Sequence, residues 1–325
     1  MTHLPSLAAV VIGRNEGTRL LGCLDSLAAA GISRVVYVDS GSTDGSAEAA
    51  TARGAIVVRL SSDQPFTAAR ARNAGLAALE AEPPEFVQLI DGDCALDQGW
   101  ISLAVAHMAT IHGLAIACGR VRERFPEISP YNRLCDREWD TPIGIATACG
   151  GNALARYAAL ASVGHFNPNL IAGEEPDLCL RLRRKGWQIE RLDAEMVLHD
   201  AAITRFSQFW RRARRAGHAF AEGQWRHRNG TEGHYLRETR RALFWGMTLP
   251  LATALCFLIH PVLGAILAAA YPAQVLRLTA REGFTRPASE AAILLTVSKF
   301  AEAQGVIGFH VARLIRRRTK LIEYK

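Results

Sequence analysis

Residues 34–46 read RVVYVDSGSTDGS, and the fold follows from how that stretch is built. Arg34–Val38 is a short apolar run dominated by β-branched residues, the pattern of a buried strand, and it stops at Asp39. Small, hydroxylated and glycine residues follow, and then a helix is predicted over Ser46–Arg53. The same unit recurs on either side. Upstream, Leu7–Ile12 (LAAVVI) reads as a strand, followed by a helix over Arg19–Ala30. Downstream come a strand over Ala55–Leu60, an Ala-rich helix over Ala68–Glu80, and a strand over Phe86–Ile90 that runs straight into Asp91. Continuous apolar strands separated by helices predict an α/β fold with a mainly parallel sheet covered on both faces. Ligands on such a sheet sit at the carboxyl ends of the strands. The polar clusters GRNE, DSGSTDGS and DGDC fall there.

The chain has 325 residues, room for one large domain or two modest ones. Apolar residues make up 49% and charged residues 21%, which excludes disorder as the main state. No fixed-period repeat or heptad array is present, so fibres, coiled coils and solenoids are excluded. Seven Cys without a C-x-x-C pair argue against a disulfide scaffold or a zinc ribbon. The opening MTHLPSLAAVVIGRNE has no cationic segment before an apolar one, so no signal peptide is expected and a reducing cytosol is.

Charge is uneven. Residues 201–325 carry 20 Lys/Arg against 7 Asp/Glu, whereas the first 200 residues are mildly acidic. A basic back half points to an anionic partner, either a membrane surface or a phosphorylated lipid. Nucleic acid is disfavoured, because these cations flank an apolar run rather than line a groove. Ala242–Leu276 contains no charged residue and breaks at His260-Pro261. A bilayer core of ~30 Å takes ~20 helical residues per crossing. Ala242–Ile259 and Pro261–Leu276 each fall short, so two short spans or a re-entrant hairpin are expected. Arg237, Arg240 and Arg241 before the run, and Arg277, Arg281 and Arg286 after it, put both ends on the cytoplasmic side. Ala291–Ile315, with Arg316–Arg318 and Lys320 behind it, reads as an interfacial amphipathic helix with a basic tail. Burial of both stretches inside a soluble protein is the competing reading. The predicted organisation is a catalytic domain over 1–205, a basic helical linker over 206–241, and an apolar hairpin plus tail helix over 242–325.

Four clusters carry chemistry. Asp39, at a strand end before DSGSTDGS, is placed to accept from a ribose or a base imide, and Asp44 to cap the next helix. An ordinary strand–turn–helix junction looks the same. Asp91-Gly92-Asp93 sets two carboxylates one residue apart, a donor set for a hard divalent cation that also holds a diphosphate. Glu174, Glu175 and Asp177 open a helix, where acidic residues also suit the dipole. Their functional reading is a general base for an acceptor hydroxyl. His199 ends an apolar run, and a lone His there is more often structural. Trp139 is an expected sugar-stacking platform or a core residue. Trp210, Arg211 and Arg212 lie on a cationic helix suited to a lipid diphosphate or a membrane surface, or merely solvated.

Taken in order, Arg14-Asn15-Glu16, DSGSTDGS, Ala71-Arg72-Asn73-Ala74-Gly75, Asp91-Gly92-Asp93, Gly150-Gly151-Asn152, Gly173-Glu174-Glu175 and His199 resemble glycosyltransferase family 2, which has the GT-A nucleotide-sugar fold. The resemblance covers residues 7–205. The apolar tail is similar to that of bacterial members that build exopolysaccharide or lipid-linked glycans at the inner membrane. The resemblance implies a role for each motif. Glu16 and Asp39 contact the nucleoside with Arg14 nearby, and Arg72 and Asn73 lie near the nucleotide. Asp93 is the principal ligand of a Mg²⁺ or Mn²⁺ ion that His199 completes, with Asp91 assisting the metal or binding ribose or sugar. Gly150, Gly151 and Asn152 shape the donor-sugar pocket. Glu175 stands where the family usually has an Asp base, with Glu174 and Asp177 as alternatives. The implied activity is metal-dependent, inverting sugar transfer from a nucleotide-sugar to a glycan or polyprenyl-linked acceptor. The competing classes are a non-catalytic sugar-binding scaffold at the membrane and a sugar nucleotidyltransferase. The latter lacks its expected glycine-rich loop with a trailing Lys.

Overall fold

The computed structural model describes residues 5–316. The basic tail residues Arg317, Arg318 and Lys320 lie outside the described residues. The elements in chain order are β1 (Leu7–Gly13), α1 (Thr18–Ala29), β2 (Val35–Asp39), α2 (Ser46–Ala52), β3 (Ile56–Arg59), α3 (Ala68–Ala77), β4 (Phe86–Asp91), β5 (Cys94–Leu96), α4 (Trp100–Thr110), β6 (Leu114–Glu123), α5 (Pro130–Glu138), β7 (Gly144–Ile145), β8 (Ala153–Arg156), α6 (Tyr157–Ser162), α7 (Glu174–Arg184), β9 (Gln188–His199), α8 (Phe206–Arg226), α9 (Leu236–Leu243), α10 (Leu249–Ile259), α11 (Pro261–Ala268), α12 (Ala270–Arg281) and α13 (Arg286–Leu314). They divide into two compact units.

The first unit, residues 5–125 and 136–201, is built on one sheet of order β3-β2-β1-β4-β8-β6-β9-β5, with β7 paired to β9. β1, β2, β3 and β4 pair in parallel, as their unbroken apolar runs predict. Beyond β4 the sheet is mixed: β8 is antiparallel to β4 and β6, β5 is antiparallel to β9, and β6 runs parallel to β9. Short strands such as β5 need no crossover helix when they pair antiparallel. Helices bury their apolar sides on the sheet. Trp100 of α4 is fully buried and donates its indole N–H to Gln88 Oε1 on β4 at 2.9 Å, which satisfies a polar group in the middle of the core.

Register sets the site. Gly13 at the end of β1 faces Asp39 of β2, and Ile12 faces Asp91 of β4. The two strand-end carboxylates therefore flank the loop that begins at Arg14. Residues 120–148, which carry no recognisable period, hold the end of β6, α5 and β7. The end of β6 escapes recognition because it pairs with β9 through register shifts and carries buried Arg120, ion-paired to Asp136 at 3.1 Å.

The second unit, residues 126–135 and 202–316, is helical. Arg133 of α5 forks onto Glu290 of α13 at 2.8 and 2.9 Å. Trp210 of α8 donates to Gln304 of α13 at 2.9 Å. α9 continues through a π-helical turn, Phe244–Thr248, into α10. The charge-free runs are short by themselves, but the helices that carry them extend into the flanking arginines. Leu236–Ile259 and Pro261–Arg281 are 24 and 21 residues long, and with the 29-residue Arg286–Leu314 all three are long and apolar enough to cross a membrane. Only 11% and 17% of the apolar windows of the first two are buried, against 44% of the third. The third packs on its neighbours; the first two present bare apolar sides.

Candidate active site

The loops after β1 and β2 are laced together by short side chains. Asn15 Oδ1 accepts from Thr43 N at 2.8 Å, Asn15 N donates to Ser42 Oγ at 2.9 Å, and Gly17 N donates to Asp44 Oδ2 at 2.9 Å. Asp44 Oδ1 takes the N–H of Ser46, the first residue of α2, at 3.1 Å. The Ser46 hydroxyl on the same carboxylate holds Asp44 below the usual carboxylate range. Asp39 is buried, with Oδ2 accepting from Gly41 and Ser42 N–H at 3.2 and 3.1 Å and Oδ1 from the Tyr37 hydroxyl at 3.3 Å. The Arg14 guanidinium lies over the Phe66 ring, 5.4 Å from its centroid, and Glu16 pairs with Arg19 at 2.8 Å. Arg14, Glu16 and Asp39 thus converge on one sheet edge.

Arg72 of α3 is the hub of the second cluster. Its buried guanidinium donates through Nη1 to Glu175 Oε1 at 2.7 Å and Glu174 Oε1 at 3.2 Å, and through Nη2 to Asp91 Oδ1 at 2.9 Å. Nη2 also reaches the Gly151 carbonyl at 3.4 Å. Gly151 is required by this approach: a Cβ there would lie 2.4 Å from Arg72 Nη2 and 2.9 Å from Asp91 Oδ2. Burial alone would loosen the Arg72 proton, but the carboxylates of Glu175, Asp91 and Glu174 outweigh it.

Three carboxylates around one cation leave an excess of negative charge. Burial, and then the Glu174 charge, push Glu175 up to about 7, against the pull of Arg72. The side chains of Glu174 and Asp177 are 4% and 5% exposed, whereas Glu175 is 17% exposed. Asp177 is tied to Arg181 on its own helix at 2.9 Å. Of the three acidic residues that open α7, only Glu175 reaches the surface of the cleft.

The third cluster joins β5 to β9, where Cys94 faces His199 in register. The ligand atoms of Asp93, Cys94 and His199 all lie within 4.8 Å of one another, and His199 Nε2 is 3.3 Å from Asp93 Oδ2. Asn152 bridges the two clusters: its Oδ1 accepts from Asp91 N at 3.0 Å and its Nδ2 donates to Cys94 Sγ at 3.5 Å.

The structure places the other sequence-predicted residues as follows. Asp91 stands apart from the donor cluster, because β4 ends at Asp91 and its carboxylate turns to Arg72, while the chain carries Asp93 on toward β5. Asn73 uses its amide on the Phe166 backbone, donating at 2.8 Å and accepting at 3.0 Å, so it anchors the 160s loop. Trp139 has one ring face stacked on His199, with centroids 4.7 Å apart and planes at 9°. Trp210, Arg211 and Arg212 belong to the second unit. There Trp210 bonds Gln304, and Arg211 donates to the Ser207 carbonyl at 3.3 Å. Cys94 is the residue that sequence reasoning missed. Its only sequence signal is that it immediately follows Asp91-Gly92-Asp93.

A parallel half-sheet with strand-end carboxylates, continued by a mixed far half-sheet that carries the Asp/His cluster, is the architecture of the GT-A fold. The sequence model of glycosyl transferase family 2 matches residues 9–162, so the chain carries a glycosyltransferase family 2 domain over that stretch. The structure is similar to the mannosyltransferase PcManGT from Pyrobaculum calidifontis, solved with GDP-Man and Mn²⁺. The TM-score is 0.64 at 19% identity, covering 94% of this chain and 88% of that one. It is also similar to GalNAc-T7, solved with UDP, GalNAc and Mn²⁺. There the TM-score is 0.51 at 13% identity, covering 76% of this chain and 52% of that one. At these identities the likeness is one of fold. No curated protein matches the chain.

Proposed function

We propose that this chain transfers a sugar, with inversion, from a nucleotide-sugar to a hydroxyl of a glycan or polyprenyl-linked acceptor at the cytoplasmic face of the bacterial inner membrane. The observation that carries this reading is the pairing of a partly exposed Glu175, pushed up to about 7, with a separate Asp93/His199 donor cluster on the same sheet. A general base and a charge-neutralising centre are the two devices that single displacement at an anomeric carbon needs.

The residues fit a divalent cation through the Asp93 carboxylate and the His199 imidazole, which converge within 4.8 Å; the soft Cys94 thiol beside them adds no ligand suited to a hard ion. Asp93 and His199 would hold it, with Cys94 beside them. A bound Mg²⁺ or Mn²⁺ supplies positive charge against the leaving nucleoside diphosphate. The protein's own groups do the rest. Asp39 and Glu16 hold the nucleoside, with Arg14 at the lip. Asp91, fixed by Arg72, faces the donor's ribose or sugar; the open backbone at Gly150 leaves room for the ring, and Gly151 and Asn152 shape the pocket by seating Arg72 and Asp91. Glu175 accepts the proton of the acceptor hydroxyl as that oxygen attacks the face opposite the diphosphate. Arg72 holds the neighbouring carboxylates in place through its ion pairs. The two bare apolar helices support membrane attachment, and the cationic α8, with Trp210, Arg211 and Arg212, supports contact with lipid phosphate.

The test is nucleoside-diphosphate release by the detergent-solubilised chain across a panel of nucleotide-sugars with Mg²⁺ or Mn²⁺, with and without polyprenyl-lipid extract. Release with one donor that needs the metal and disappears in Asp93→Ala and Glu175→Gln supports the reading. Release unchanged in both variants sinks the assigned roles, and pyrophosphate as the product would make it a nucleotidyltransferase.

A further inference from the structure

The two exposed apolar helices meet at His260, and the construction of that junction decides where its tip can sit. The turn is one residue long. His260 N donates to the Cys256 carbonyl at 2.8 Å, His260 Nδ1 accepts from Val262 N at 3.3 Å, and the His260 carbonyl accepts from Gly264 N at 3.2 Å. Pro261 has no N–H to satisfy. His260 N, His260 O and Val262 N are thereby satisfied within the turn itself. The legs close tightly, since a Cβ on Gly264 would lie 2.3 Å from the Phe257 ring. Around this turn the surface is apolar and open: Leu258 is 85% and Ile259 70% exposed, and Val262, Leu263 and Ile266 are exposed beside them.

A second feature sets the depth scale. Trp245 on one leg and Tyr271 on the other touch, with ring centroids 5.9 Å apart and the Tyr271 hydroxyl donating to the Trp245 carbonyl at 2.7 Å. They therefore lie at one level. Trp and Tyr concentrate at the boundary between headgroups and hydrocarbon, and arginines sit just outside it. Arg240 and Arg241 precede Trp245, and Arg277 follows Tyr271. At 1.5 Å per residue, Trp245 to Ile259 spans ~21 Å and Tyr271 to Pro261 ~15 Å. The hydrocarbon is ~30 Å thick, and any tilt shortens the reach further.

We infer that Leu236–Arg281 is a re-entrant hairpin: it enters one leaflet, turns at His260 inside the hydrocarbon, and returns to the side it came from. Each helix is long enough to cross, yet the pair does not cross. A crossing would leave Leu258, Ile259, Val262 and Leu263 in water on the far side. The partner of this surface is the acyl interior of a single leaflet. The inference rests on the membrane attachment proposed above, but it is tested apart from catalysis.

The experiment uses the full chain in sealed membrane vesicles of both orientations. Leu258→Cys is exposed to a membrane-impermeant maleimide, with the wild type fixing the background of the native cysteines and Glu282→Cys reporting the side of the helix ends. The expected result is no added labelling of Leu258→Cys in intact vesicles of either orientation and full labelling in detergent, while Glu282→Cys labels in one orientation. A fluorophore at position 258 should be quenched more by nitroxides deep in the acyl chain than by nitroxides at the headgroup. Labelling from the side opposite Glu282→Cys overturns the inference in favour of crossing. Labelling from the same side, or no quenching by lipid nitroxides, overturns it in favour of a tip outside the bilayer. Leu263→Cys on the other leg repeats the measurement if Leu258→Cys fails to accumulate. Donor-dependent nucleotide release stays within about twofold of wild type in both variants under the proposal, so loss of the transferase reading and loss of the hairpin are read separately.

Discussion

Arg72 Nη1 lies 2.7 Å from Glu175 Oε1, and the same guanidinium reaches Asp91 at 2.9 Å through Nη2. One buried cation on α3 thereby joins the end of β4 to the start of α7, which lies more than a hundred residues beyond Arg72 in sequence. Replacing it removes the only positive charge among three carboxylates. Arg72→Met should destabilise the first unit by about 3–5 kcal/mol, the range seen when one member of a buried ion pair is deleted. Arg72→Lys should recover part of that stability but little activity, because one ammonium cannot fork onto Glu175 and Asp91 together. Thermal unfolding of the two variants beside wild type checks this, and equal melting temperatures for Arg72→Met and wild type would refute the hub.

Glu175 should govern the pH profile. Its ordinary carboxyl range is near 4.5, and burial beside Glu174 raises it to about 7. A base works only when deprotonated, so turnover should climb between about pH 6 and pH 8 and then level. Stability moves the other way. A carboxyl that keeps its proton longer when folded favours the native state at pH below its ordinary range, and that contribution is lost as pH rises through about 7. Glu175→Gln should cut kcat by about 10²–10⁴ while leaving donor binding within a few-fold. Glu175→Asp should restore part of the rate. Steady-state kinetics from pH 5.5 to 9 decide it: a profile flat across pH 7, or a Gln variant as fast as wild type, would remove Glu175 from the role.

The half-sheet at β1–β4 and the three polar loops at its edge were legible in the sequence for a local reason. β1, β2 and β4 are runs of apolar residues that end abruptly at Gly13, Asp39 and Asp91, so the strand end and the polar loop edge coincide there. What was illegible is non-local. Nothing in the spacing says that Asn73 is occupied by the Phe166 backbone or that Trp139 stacks on His199. Likewise, Asp91 and Asp93, one residue apart, part company at the end of β4. Cys94 joins the donor cluster only because β5 and β9 pair antiparallel and bring it opposite His199. The charged positions of β6 hid a strand that a rule seeking apolar runs does not detect. In the second unit, charge-free length alone underestimates the helices, because they continue through Arg237–Arg241 and Arg277–Arg281.

Trp139 should act on the donor cluster through His199. The stacked indole holds the imidazole parallel at 4.7 Å, and removing such a support around a metal ligand typically costs 10–100-fold in metal affinity. Trp139→Ala should therefore weaken Mn²⁺ binding, read by electron paramagnetic resonance of free Mn²⁺, by about that factor. Trp139→Phe should recover most of it. His199→Ala should lose more than Trp139→Ala, and Asp93→Ala should lose binding altogether. Were Trp139→Ala to leave Mn²⁺ affinity unchanged while raising only the KM for acceptor, the ring would be an acceptor platform instead.

Gly151 gives the most local prediction. Any side chain there meets Arg72 Nη2 at 2.4 Å and both Asp91 oxygens within 3.4 Å, and the guanidinium is held on the far side by Glu174 and Glu175. The flexible end of Arg72 therefore has nowhere to retreat without breaking an ion pair. Gly151→Ala should lower the melting temperature modestly, since overpacking of this kind costs about 1–3 kcal/mol. Activity should fall far more, because the shift separates Arg72 from Asp91 and tilts Glu175 off the cleft. Gly150→Ala, one residue away with nothing within 4 Å of its would-be Cβ, serves as the matched control. It should fold like wild type, and any rate loss there would come from the pocket the two glycines leave open. Equal effects of the two alanines on melting temperature would show that the Arg72 approach does not constrain the backbone at Gly151.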